Sequence, residues 1–132
     1  MNPRDVGRAY GIGRAVFGAA MLLAPRLALR PFLGSAASEP AVGVAVRAAG
    51  VRDLVLGMMA LHTLDHPEVA PRWQRTLGAI DAVDGLAVLA ARDALPSAGV
   101  AAFVAIAAGG AATGAWVGGA LASGATPPAT SA

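Results

Sequence analysis

Six ionisable residues, Arg14, Arg47, Arg52, Asp53, Asp81 and Asp84, stand inside apolar stretches of this chain. Placing Arg or Asp at the centre of a membrane helix costs about 2.5 to 3.5 kcal/mol, whereas each Leu, Ile, Phe or Val returns only about 0.3 to 0.6 kcal/mol. Such groups enter a bilayer with partners, and they mark ion pairs, proton relays or sites for polar ligands. Three positive and three negative charges cancel. The six are therefore expected to form one paired network at mid-membrane. It is either a lock between helices or a polar centre that relays protons or holds a headgroup, solute or quinone.

Other chemistry is sparse. His62, Asp65 and His66 have i, i+3, i+4 spacing, which offers three ligands to a divalent metal if one helix carries them all, but Pro67 and the loop-like composition argue for a solvated turn. Both His lie on one segment, whereas haem with two axial His needs facing helices, and no cofactor is expected. Without Cys there is no disulfide, thiolate metal site or cysteine nucleophile. No GxxxxGK[ST], GxSxG or HExxH occurs, so no catalytic residue is assigned. All ten basic residues are Arg, yet net charge is only +2 and no basic block exists, which argues against nucleic acid.

The elements that must position the charges follow from composition. The chain has 132 residues, 56% of them hydrophobic, and its mean hydropathy is +0.61, well above soluble globular domains. From 94 to 132 there is no Asp, Glu, Lys or Arg. The expected fold is all-α, a single four-helix transmembrane bundle over 1–122 with helices at about 6–24, 41–63, 73–92 and 97–122, each long enough to cross with modest tilt. A Ser, Thr, Pro and Ala-rich tail at 123–132 is expected to be disordered. Pro25, Pro31, Pro40, Pro67, Pro71 and Pro96 punctuate the connections. The first connection, with Arg26 and Arg30 among apolar residues, reads as an interfacial segment or an ordinary loop. Trp73 suits an interfacial anchor, and Trp116 lies deeper and is expected to contact a neighbouring helix.

Glycine spacing predicts which helix faces meet. Gly7, Gly11, Arg14 and Gly18 form one stripe, Gly43, Arg47, Gly50, Leu54 and Gly57 a second, and Gly78, Asp81 and Gly85 a third. Small residues let membrane helices approach closely, so these stripes should face inward with Arg14, Arg47 and Asp81 on them. Asp53 and Asp84 lie beside them, and Arg52 points roughly opposite its stripe. Gly110, Gly114 and Gly118 form two overlapping GxxxG steps, suited to contacts within the bundle or across a homodimer. The partners implied are the bilayer, and a second copy or another membrane protein. Flanking Arg4, Arg8, Arg72 and Arg75 against Arg26, Arg30 and Arg92 favour both termini in the cytoplasm.

Asp81-Ala-Val-Asp84-Gly85 resembles the opening DxxDG of the CDP-alcohol phosphatidyltransferases, but Val88 and Leu89 stand where that motif has AlaArg and no GxxxDxxxD follows. GlyIleGlyArgAlaValPheGly around Arg14, ArgAlaAlaGlyValArgAspLeuValLeuGly from Arg47 to Gly57, and AspAlaValAspGly together resemble small bacterial four-helix membrane proteins grouped as a domain of unknown function. A fainter architectural likeness is to DoxX-type proteins, some linked to quinone or sulfur redox systems. These resemblances imply a multi-pass protein of the bacterial inner membrane. They bring no established reaction. The expected function is a non-enzymatic accessory or polar-ligand-binding membrane protein. The alternatives are a small proton-coupled carrier using Asp81 or Asp84, and a redox or lipid-modifying enzyme.

Overall fold

The computed structural model describes residues 1–124 and is all-helical. Five α-helices follow one another: α1 (Pro3–Leu23), α2 (Pro25–Leu33), α3 (Pro40–Thr63), α4 (Ala70–Ala90) and α5 (Ser97–Gly124), with 3-10 turns at Gly34–Ser38 and Arg92–Ala94. The four long helices match the four expected segments, with shifted ends. Helices begin earlier than the prolines imply because a proline in the first turn removes an N–H that has no helical partner anyway. Pro3, Pro25 and Pro40 each open a helix, and Pro71 lies in the first turn of α4. Asn2 caps α1, its side-chain oxygen accepting from the Arg4 N–H at 3.0 Å. Ser123 and Gly124 belong to α5 because nothing in AlaSerGly stops a helix already in progress, so the expected tail does not start there. The rest of that tail, 125–132, lies outside the described residues.

Of the two readings of the first connection, an interfacial segment or an ordinary loop, the helix α2 sets aside the loop. Ala24 precedes Pro25, which disfavours a helical backbone at the preceding residue. It leaves the helical region at φ −135° and ψ 59°, and the chain turns through 104° between α1 and the segment Pro25–Ser38. The segment then tucks Leu29 and Ala37 against Met21 and Val46, closing one end of α1 and α3. Gly34 ends α2 at φ +59°, which a side chain would disfavour.

α1 runs antiparallel to α3, and α4 to α5; these are the two intimate pairings, and thinner contacts through α1 with α5 and α3 with α4 join them. α1 and α4 are parallel across the diagonal, since Gly7 lies by Gln74 and Arg14 by Asp81. Backbones touch at the glycines. A Cβ on Gly50 would lie 2.7 Å from the Gly18 carbonyl oxygen, one on Gly57 2.6 Å from that of Gly11, and one on Gly114 2.7 Å from the Gly78 Cα. Gly118 similarly admits Pro71 and Arg75, and Gly7, Gly11 and Gly85 admit side chains. The GxxxG steps of α5 thus serve its contact with α4.

Among the described residues α5 alone is long and apolar enough to cross a membrane by itself, with a mean hydropathy of 1.8 in its most apolar window; α1 passes only together with the bent segment after it. Large apolar side chains nevertheless point outward on every long helix, including Ile12, Val16, Val55, Met58, Leu86 and Ile106. Trp116, expected to pack against a neighbouring helix, is 45% exposed: Gly114, Val117 and Gly118 take the inward face of α5, and Trp116 lies about 200° round the helix from both Gly114 and Gly118.

Candidate functional site

α1 buries Gly7, Gly11, Arg14 and Gly18 in a row, as the spacing predicts. In α3 the three glycines recur every seven residues, and either the i+3 or the i+4 neighbour can fill the gap between them. The fold chooses i+3. Val46 and Asp53 are buried with Gly43, Gly50 and Gly57, while Arg47 is exposed and Leu54 half-buried. Arg47 is thus not part of the buried network. Its nearest hydrogen bond is to the Gly43 carbonyl one turn back, at 3.4 Å. Gly43 correspondingly packs no helix, for a Cβ there would meet only the Arg47 guanidinium.

The remaining charges form one connected chain. Arg14 donates from Nη1 to Asp81 Oδ1 at 2.5 Å and from Nη2 to Asp53 Oδ1 at 3.1 Å. Its side chain is 5% exposed. Tyr10, which charge and glycine spacing do not single out, donates its hydroxyl to Asp81 Oδ2. A signal for it exists in the chain: Tyr10 lies four residues before Arg14, on the same helix face. Arg52, expected to point away from its own stripe towards another helix, a cavity or a second protomer, meets another helix: it holds Asp84 of α4 with both forks, Nη1 to Oδ1 at 3.2 Å and Nη2 to Oδ2 at 2.5 Å. It also reaches Asp53 Oδ1 at 3.3 to 3.4 Å. Its long stem lets an exposed backbone position deliver the guanidinium to the α3–α4 seam. Arg52 is 46% exposed at the side chain.

A cleft of about 300 Å³ lies beside this chain, between α1 and α5. Asp53, Asp81, Asp84, Arg14 and Tyr10 line one side, and Phe17, Phe32, Phe103 and Ile106 supply apolar walls. α2 contributes Phe32, whose ring meets Phe103 edge to face at 5.9 Å. Gly110 lines the cleft as well, and its missing Cβ leaves room there for the Asp81 carboxylate of α4.

The arrangement can hold a polar group against the charges and an apolar group against the rings. It is not built for a metal. Both Asp81 oxygens and both Asp84 oxygens already accept from Arg or Tyr, and among the described residues no group of three His, Asp or Glu is gathered for an ion. His62, Asp65 and His66 are exposed; α3 stops at Thr63, and the His62 and His66 rings still meet edge to face at 5.0 Å, with no third ligand gathered beside them among the described residues.

No family model, no curated protein and no solved structure matches this chain.

Proposed function

We propose that this chain is an integral membrane protein, a four-helix bundle of α1, α3, α4 and α5, whose cleft binds a small ligand with a polar end. The observation that carries the reading is the juxtaposition of an ion-paired wall with an aromatic cleft. A network serving only to lock helices needs no space beside it, whereas this one borders about 300 Å³. The membrane part is supported by polarity turned outside in. Arg14, Asp53, Thr63 and Gln74 are buried while valines, leucines, isoleucines and methionines face outward, a distribution suited to lipid and costly in water. α1, α3 and α4 carry charges that lower their individual hydropathy, and pairing offsets that penalty.

The bacterial inner membrane is the proposed location, with both termini in the cytoplasm. The fold supports it by gathering Arg4, Arg8, Arg72 and Arg75 at the N-terminal ends of α1 and α4, away from Arg26, Arg30 and Arg92.

The test uses the full chain expressed with its lipids. The protein is expected in the membrane pellet after an alkaline wash, and native mass spectrometry in nanodiscs is expected to detect a bound small molecule that Phe103→Trp, filling the cleft, displaces. Extraction by the wash would overturn the membrane reading. Retention of every bound species by the filled cleft would overturn the ligand site.

A second reading, a proton-coupled carrier, is favoured by one contact: Asp81 takes the Tyr10 hydroxyl at the cleft while its other oxygen faces Arg14. In liposomes this predicts a pH-gradient-dependent flux lost in Asp81→Asn; absence of flux in the wild type removes it.

A further inference from the structure

We infer that the ligand of the cleft is an organic cation, a protonated amine or quaternary ammonium bearing an apolar group. This deepens the ligand-site reading and rests on it. With Arg47 outside the network, the connected chain contains two guanidinium groups, Arg14 and Arg52, and three carboxylates, Asp53, Asp81 and Asp84. The balance that sequence counting predicted does not exist; one negative charge is left over. In a low-dielectric interior an uncompensated charge is costly and calls for a counter-charge.

The excess faces the cleft. All three carboxylates line it, but of the two guanidinium groups only Arg14 does, and both its terminal nitrogens are spent on Asp81 and Asp53. Arg52 lines a separate groove with Thr76, Ile80 and Val83 on the outer side of the α3–α4 seam, where its partner Asp84 is also reached. The cleft is therefore lined by three carboxylates and one guanidinium, while the second guanidinium sits outside it against Asp84. Asp53 provides the second, independent indication. Its side chain is 12% exposed, every hydrogen bond it accepts falls on Oδ1, and its Oδ2 has no donor among the described residues. Opposite stand Phe17, Phe32 and Phe103; aromatic faces attract a desolvated cation, and an anion would meet carboxylates. Among the described residues no other ionisable group besides Tyr10 lines the space.

The test measures binding of three shape-related probes to the full chain in lipid nanodiscs: benzyltrimethylammonium, its neutral isostere neopentylbenzene, and the anion benzenesulfonate. The cation is expected to bind at least tenfold more tightly than either. Asp53→Asn, which evens the charges and keeps an acceptor for both Arg, is expected to weaken the cation tenfold or more and to leave the neutral probe within twofold. Phe103→Leu should weaken the cation several-fold, and it carries the test should Asp53→Asn not fold. Equal binding of the neutral or anionic probe, or cation affinity untouched by both variants, overturns the inference while leaving the site intact. Binding of none of the three overturns the ligand site as well.

Discussion

Arg14 and Arg47 show what side-chain surroundings do to chemically identical groups. Removing one partner of a buried pair leaves the other charged and unpaired, at a cost of about 3 to 5 kcal/mol. Arg14→Leu leaves Asp81 with no positive partner, only the Tyr10 hydroxyl, and Asp53 with only the longer Arg52 contact, and is expected to abolish a stable fold. Arg47→Leu removes an exposed group with one long hydrogen bond and should change stability by about 0.5 kcal/mol or less. Thermal unfolding in one detergent compares them. Gln74 is a second residue-scale case. It is fully buried, and neither its amide nitrogen nor its oxygen has a partner. An unsatisfied buried group costs about 1 to 3 kcal/mol, so Gln74→Met, similar in length and without those groups, is expected to raise the melting temperature. An unchanged or lower value would show that the amide is satisfied by something the helices alone do not provide.

At the scale of elements, the glycines divide into two classes that sequence spacing alone does not separate. Gly50 and Gly57 lie against the α1 backbone, whereas a methyl group added at Gly13 or Gly109 would meet nothing within 4 Å. Gly50→Leu forces α1 and α3 apart and is expected to unfold the pair. Gly13→Ala and Gly109→Ala are expected to be neutral or to stabilise by up to about 1 kcal/mol through helix propensity. Circular dichroism melts of these variants check this, and equal sensitivity at Gly13 and Gly50 would refute the assignment of faces. The stripes themselves were legible because a period near 3.6 is imposed by the helix. The choice between Val46 and Arg47, or Asp53 and Leu54, was not. Both neighbours flank the same stripe, and only the elements beside α3 decide between them: Met21, Leu29 and Ala37 cover Val46, and Arg14 takes Asp53.

For the whole molecule, the two intimate pairs, α1 with α3 and α4 with α5, are held together by thinner contacts and by the ion pairs Arg14–Asp81 and Arg52–Asp84. Neutralising both acceptors should loosen pair from pair before it loosens either pair. The chain has no Cys, so spin labels can be placed freely on exposed sites. Labels at Val55 of α3 and Val83 of α4 are expected to show a broadened distance distribution in Asp81→Asn/Asp84→Asn. Labels at Val16 of α1 and Val55 should keep their wild-type distribution. Broadening of both distributions together would mean that the ion pairs also hold α1 to α3.

The residue order by itself determined the helical class, the four long segments, the glycine stripes and the presence of charges that need partners, because each follows from local period, proline chemistry or the cost of moving an ion out of water. Tertiary structure decided the rest. It released Arg47 from the network, brought Arg52 across to Asp84, added Tyr10, made a helix of the connection that the sequence left as an interfacial segment or a loop, and opened a cleft beside the carboxylates. These outcomes depend on which helix lies on which side, and on the reach of long side chains between helices. The count of charges was readable in the chain; their imbalance was visible only once it was known which of them touch.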